Sequence, residues 1–257
     1  MSIDRRRWLA LAATGLGSAF LSACDSLVQN RTISGALRNT ERWTKTAQRL
    51  VMDRNALARE FTPAQISPDF RANGTRRPRE PEYEALLAQA FQDYRLTLDG
   101  LVERPLSLSL ADLRAAPART QITRHDCVEG WSSIGKWKGA RLSPLLDRAG
   151  VKPEARYIVF HCFDVLDPTA VDGAGRYYES IDLVDAHHPQ TILAYDMNDK
   201  ILPVGHGAPL RLRVERQLGY KHAKYIQRIE VVASLEDIGR GRGGFWPDRG
   251  YEWYAGI

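Results

Sequence analysis

The chain has 257 residues, 44% of them hydrophobic, enough to bury a substantial core within one domain. Its formal net charge is +5, and Arg5, Arg6 and Arg7 offset by Asp4 supply +2 of it, leaving +3 for the remainder. So small an excess, with no basic face interleaved with aromatic residues, argues against nucleic-acid binding. The three cysteines, Cys24, Cys127 and Cys162, are odd in number and show no C-x-x-C spacing, which argues against a disulfide framework. A Cys127–Cys162 bond stays open should the fold bring the two together.

Residues 1–24 read as an export signal. Asp4-Arg5-Arg6-Arg7-Trp8-Leu9 places positive charge before an apolar run, Leu9 to Phe20, too short to span a bilayer. The paired arginines resemble the twin-arginine address, which is read on folded cargo. Leu21-Ser22-Ala23-Cys24 resembles a lipobox, so lipidated Cys24 is expected to attach the mature protein to a membrane in the bacterial periplasm. A plain cleavage site of small residues is the rival reading.

Residues 25–60 are polar with weak apolar spacing, as in a tether or helix. Pro63, Pro68, Asn73-Gly74-Thr75, Pro78 and Pro81 mark loops, and Glu82 to Phe91 reads as a short helix. Tyr94 to Gly100 alternates like a half-buried strand and ends in Asp99-Gly100, a turn pair, so it is predicted to form a hairpin with Leu106 to Leu110. A helix over Ala111 to Ala115 ends at Pro117, and a strand over Thr120 to Arg124 runs into His125-Asp126-Cys127. Leu142 to Ala149 is predicted helical with Gly150 as its C-cap, and Tyr157 to Phe163 is predicted to be a core strand. Ile192 to Tyr195, Arg211 to Glu215 and Ile226 to Val232 read as further strands. His187-His188, before Pro189, are expected to cap a surface loop. Strands outnumber helices without regular βαβ alternation, which points to an α+β, mainly β domain.

Cys127 stands at a strand end beside Arg124 and His125, either of which, as a cation, would favour the thiolate that ligates soft metals or attacks electrophiles. By itself, a lone cysteine in a strand is more often a small buried hydrophobe. The downstream sequence discriminates. Cys127-Val128-Glu129-Gly130-Trp131, Gly135-Lys136-Trp137-Lys138-Gly139, Met197-Asn198-Asp199-Lys200-Ile201-Leu202-Pro203, His206-Gly207-Ala208-Pro209-Leu210-Arg211 and Gly219-Tyr220-Lys221-His222-Ala223-Lys224-Tyr225 occur in order. Together they resemble the molybdopterin domain of the sulfite oxidase family, from about Ile66 to Val232.

That resemblance implies a sulfite-oxidase-type fold over residues 61–235, a molybdenum–molybdopterin cofactor, and Cys127 as the single thiolate ligand of the metal, with Arg124 and His125 beside it in the catalytic site. It further implies Arg211, Lys221, His222 and Lys224 as phosphate and pterin contacts, and His206 as a pterin hydrogen-bonder. Phe70, Arg71 and Asn73 fall in the loop that wraps the pterin, and Cys162 supports it from the core strand. No haem segment or dimerisation domain is recognised, and residues 236–257 form an aromatic tail expected to pack on the domain. Compact exported members resemble the catalytic subunit of bacterial periplasmic methionine-sulfoxide reductases. The expected activity is therefore oxygen-atom transfer on a small sulfur-containing or oxo substrate, with electrons from a membrane haem-containing subunit or soluble cytochrome. A zinc site or cysteine-nucleophile hydrolase built on His125, Cys127, His161, Cys162 and His187 is a rival with poor ligand spacing. A lipoprotein binding module that has lost the cofactor is a second.

Overall fold

The alternation of apolar and polar residues that marks strands in the sequence sorts side chains to the two faces of sheets in the computed structural model, which describes residue 40, residues 43–171 and residues 175–257. The leader and Cys24 lie outside the described residues. The described residues up to 52, helical over 43–51, belong to one unit, and the described residues from 53 to 257 belong to another that holds every element below. Among the described residues no helix is long and apolar enough to cross a membrane.

Helix α1 (Pro81–Ala88) opens with proline in its first turn, where the missing N–H costs nothing. Strand β1 (Arg95–Gly100) buries Leu96 and Leu98 and pairs antiparallel with β2 (Leu106–Ser109), as the hairpin reading expects. Helix α2 (Leu110–Ala115) is capped by the Ser109 side chain, which accepts from the Asp112 amide while Asp112 reaches back to the Ser109 amide. Strands β3 (Ala118–Asp126) and β4 (Ser132–Arg141) form a long antiparallel hairpin. Helix α3 (Leu142–Ala149) buries Leu142, Leu145, Leu146 and Ala149 and ends at Gly150, whose φ of 70° is left-handed. Then follow β5 (Tyr157–Val165), β6 (Arg176–Asp182), the one-turn α4 (Leu183–Ala186), β7 (Ile192–Met197), β8 (Lys200–Ile201), β9 (Arg211–Arg213) and β10 (Ile226–Val232).

Two five-stranded sheets result. One has the order β2-β1-β10-β5-β6, and the other runs β3-β4-β7-β8 with β9 also on β7. The apolar faces of β1, β5 and β10 share a core with α1 and α3, through residues such as Tyr83, Leu96, Leu146, Phe160 and Ile229. A smaller cluster gathers Phe70, Trp137, Ile192, Ala194, Met197 and Leu202. The domain is α+β and mainly β, in agreement with the sequence reading. The tail packs on it through buried Phe245, which stacks on Tyr177, and through a Gln217–Gly256 bridge.

One expectation is corrected here. His188 does not cap a surface loop: it is 4% exposed, and its Nε2 lies 3.0 Å from the Ala56 carbonyl. The segment arriving from residues 56–60 covers it, and no local pattern at His188 could announce that contact.

Candidate active site

Segment 60–73 is led past the β3–β4 hairpin by backbone bonds: the Phe61 amide donates to the Ile122 carbonyl, and the Ser67 amide to Ile134. The Ser67 hydroxyl accepts from the Ile134 amide in return. This track delivers Phe70, Arg71 and Asn73 to one wall of a cavity of about 200 Å³. Cys127 begins the turn between β3 and β4, its amide bonded to the Trp131 carbonyl at 2.9 Å and its carbonyl accepting from Gly130. The Asn73 amide donates to the Cys127 sulfur at 3.6 Å. Glu129 and Trp131, from the same turn, also face the cavity, with Trp131 Nε1 donating to Glu129 and the Arg71 guanidinium 5.3 Å from the Trp131 ring.

The glycine-flanked tryptophan block has a packing reason. A side chain at Gly139 would lie 2.2 Å from the Leu193 carbonyl oxygen, so only glycine lets β4 approach β7 there. Trp137, fully buried between, carries two guanidiniums within reach of its ring, Arg211 at 4.9 Å and Arg213 at 4.5 Å. Arg213 is fixed by Glu215, Nε to Oε1 2.9 Å, with both side chains fully buried. Arg211, two residues earlier on β9, reaches the cavity and donates to the His206 carbonyl at 3.0 Å. Gly207, at φ 112°, makes room for the side chains of Lys224 and Arg211. Lys224 donates to the carbonyls of Asn73, at 2.7 Å, and Thr75, tying the 73–75 loop to the cationic floor.

Electrostatics on this floor are set by burial and by the two arginines. Burial, then Arg213, pushes Arg211 down to about 9, which leaves it charged at neutral pH. Burial and Arg211 lower Lys224 as well. His125 and His222 are held well below the usual histidine value by burial and Arg213, and His206 falls to about 4 through burial and Arg211. All three rings are thus neutral at pH 7. Asp164 is buried on the same lining, and burial raises its carboxyl above the usual range.

Of the residues named from sequence, the cavity lining brings together Phe70, Arg71, Asn73, Cys127, His125, His206, Arg211, His222 and Lys224. Three others lie elsewhere. Arg124 turns to solvent and pairs with Asp126 at 2.8 Å, because β-alternation points it away from His125. Cys162 is fully buried in the core cluster, where burial raises its thiol, and both Cys127 and Cys162 are free. Lys221 is fully buried against Glu179 of β6, off the lining. His125 is also corrected in kind: it is a neutral ring, so it brings Cys127 no positive charge. The sequence reading missed Thr75, Asp164, Tyr177, Tyr220, Trp246 and Tyr251, which also line the cavity. A carboxylate near the end of the apolar strand Tyr157–Val165 was the one local signal for Asp164.

Three buried atoms on this lining lack a hydrogen-bond partner: Arg211 Nε, His222 Nδ1 and Asp164 Oδ1. His222 Nε2 lies 3.0 Å from the Gln217 carbonyl, so its proton is there and Nδ1 is an acceptor. A cavity with one orphan cationic donor, two orphan acceptors and a half-buried thiol at its edge is built to hold a large polar group bearing both an anion and N–H donors.

The fold and this donor set meet in one family. Residues 84–237 match the oxidoreductase molybdopterin binding domain, and the chain belongs to that family: it is a molybdopterin-dependent oxidoreductase of the sulfite oxidase type, with a molybdenum–molybdopterin cofactor. It is similar to the putative protein-methionine-sulfoxide reductase subunit YedZ1 of Azospira oryzae, 34% identical over 98% of this chain and 87% of that protein. It is also similar to protein-methionine-sulfoxide reductase catalytic subunits MsrP. That of Campylobacter jejuni is 36% identical over 57% of this chain and 52% of its own length, and that of Ralstonia nicotianae 34% over 54% and 44%. The chain thus spans about half the length of these two relatives. Among solved structures, the sulfane dehydrogenase SoxCD of Paracoccus pantotrophus aligns over 56% of this chain and 39% of its own, at 26% identity and a TM-score of 0.48. Family membership sets aside the zinc or cysteine hydrolase, and the unpartnered polar atoms on the cavity lining argue against a cofactor-free binding module.

Proposed function

We propose that the chain is the catalytic subunit of an exported reductase that removes the oxygen atom from a sulfoxide, with methionine sulfoxide in proteins as the substrate class and Cys127 as the thiolate ligand of molybdenum. The observation that carries this reading is Cys127 itself, half-buried at the edge of a cavity on whose lining three buried atoms, Arg211 Nε, His222 Nδ1 and Asp164 Oδ1, have no partner in the protein. When bound, the cofactor supplies two-electron redox chemistry and an acceptor for the oxygen atom.

The residues of the chain do the rest. Asn73 orients the Cys127 sulfur. Arg211 supplies positive charge for the cofactor's phosphate, and its planar fork suits that anion, while Lys224 holds the 73–75 loop at the cavity wall. His206 and His222, neutral and half or fully buried, offer hydrogen bonds without adding charge. Trp131, Tyr220, Trp246 and Tyr251 give the cavity aromatic faces, which suit a soft sulfur-bearing side chain. Exclusion of water by these rings protects the redox step from side reactions.

The leader at Asp4 to Leu9 supports folded export to the periplasm, and Leu21 to Cys24 supports a lipid anchor there. Electrons then come from a membrane haem-containing subunit or a soluble cytochrome, a role the relatives' description as subunits supports. The test is protein purified from a molybdenum-replete host and assayed with a reduced viologen dye. Stoichiometric molybdenum, reduction of methionine sulfoxide in an oxidised protein, and loss of that activity in Cys127→Ser are expected. Sulfite oxidation without sulfoxide reduction refutes the substrate class, and full molybdenum-dependent activity in Cys127→Ser refutes the ligand.

A further inference from the structure

Asp164, next to last in β5, lies at the cavity, 3% exposed, and nothing in the family assignment gives it a task. The Thr75 hydroxyl bonds its carboxyl group, but Oδ1 has no partner. The nearest cation does not supply one. Lys224 has three ammonium hydrogens, and its Nζ lies within bonding distance of three carbonyls, those of Asn73 at 2.7 Å, Thr75, and Gly205 at 3.5 Å. A buried carboxylate oxygen without a donor is costly, so whatever fills the cavity must bring the donor.

The cofactor has two chemically opposite ends. The phosphate is anionic and only accepts, and Asp164 repels it. The amino-pyrimidinone edge of the pterin carries an exocyclic amine and a ring N–H side by side, a donor pair that a carboxylate meets in bidentate fashion. We propose that Asp164, steadied by Thr75, binds the amino-pyrimidinone edge of the pterin and so fixes which way round the cofactor lies, its phosphate falling to the orphan Arg211 Nε. Asp164 is a binding residue here and takes no part in the oxygen transfer. This inference rests on the cofactor occupying this cavity, and not on the sulfoxide being its substrate.

The experiment compares wild type, Asp164→Asn and Asp164→Ala purified from a molybdenum-replete host. Molybdenum is measured by mass spectrometry and pterin by fluorescence after oxidative release, before and after prolonged dialysis. Asn keeps the shape of Asp but sets an amide donor against a donor. Molybdenum and pterin are expected to fall together, on the order of tenfold, in both variants, the loss of a charge-assisted pair. Cofactor-free Asp164→Asn should melt no lower than cofactor-free wild type, since it relieves the unpaired carboxylate. Retention of wild-type molybdenum and pterin after dialysis overturns the proposal. So does full occupancy with lost activity per molybdenum, which would make Asp164 a proton donor to the reacting group. Should Asp164→Asn fail to fold, Thr75→Val must show a smaller fall in the same two readouts, and unchanged occupancy there overturns the proposal too. A wild type that carries the cofactor but leaves sulfoxides untouched refutes only the substrate class and leaves the occupancy comparison standing.

Discussion

Arg213 Nη1 lies 3.0 Å from Nδ1 of His125. A guanidinium can only donate, so Nδ1 accepts and the ring proton sits on Nε2. That bond, with burial, keeps the histidine next to Cys127 neutral. Arg213 in turn is held by Glu215, which also accepts from the Gln121 amide at 2.8 Å. The chain from Glu215 to His125 is buried throughout, and each link sets the state of the next.

Removing Arg213 should therefore unfold more than it disarms. Arg213→Met leaves Glu215 as a fully buried carboxylate with only Gln121 for company. We expect a loss of about 3–5 kcal/mol in urea unfolding, the usual cost of breaking a buried pair. Arg213→Met with Glu215→Leu should regain most of it. A single variant as stable as wild type would show that the pair carries no such penalty.

The neutral histidines make the protein acid-sensitive. His206 has a folded value of about 4 against roughly 6.5 in the unfolded chain, so between these limits the unfolded chain binds the extra proton. Its contribution is present above about 6.5 and lost as pH falls toward 4. Relative to His206→Asn at matched cofactor content, the wild-type melting temperature should decline over this window. Parallel curves from pH 7 to pH 4 would contradict the assignment.

Thiol chemistry should separate the two cysteines of the domain. Cys127 is half-buried on a turn, whereas Cys162 is fully enclosed with its thiol raised by burial. With cofactor-free native protein, iodoacetamide should modify Cys127 within minutes and leave Cys162 intact until denaturant is added. Peptide mass mapping reads this directly, and native labelling of Cys162 would count against its enclosure.

Gly219 faces His125 closely: a side chain there would come within 2.5 Å of Nε2. His125 cannot step aside, because Arg213, Phe70 and His222 hold it, the rings at 5.7 and 5.0 Å. Gly219→Ala should cost about 1–3 kcal/mol, an overpacking penalty, and lower molybdenum content with it. Normal stability and metal content in this variant would mean that His125 is freer than its contacts indicate.

Much of this was legible before any coordinates. Alternation in Tyr94 to Gly100 and Ile226 to Val232 marked strands, and Gly150 marked a helix end, since those signals are local. Strand β4 escaped because Gly135 and Gly139 weaken strand propensity, and their reason is a neighbour, β7, some fifty residues away in sequence. The site divides in the same way. Ordered motif blocks pointed to Cys127, His206 and Arg211, and the upstream loop resemblance pointed to Asn73. Lys221 misled because it stands in a matching block but spends its charge on Glu179, and Asp164 was passed over because its worth depends on where Lys224 sends its hydrogens.

The parallel pairing of β1 with β10, Thr97 with Arg228 through Gly100 with Val231, bears on the order of events in the cell. β10 lies between β1 and β5, so the sheet stays split until residue 232 has left the ribosome. Closing so long a loop is slow, and it comes late in synthesis. The cavity draws on positions from Phe70 to Tyr251, so during translation there is no finished receptacle for a cofactor. A cofactor that needs the whole cavity can therefore be enclosed only after Tyr251 has been synthesised.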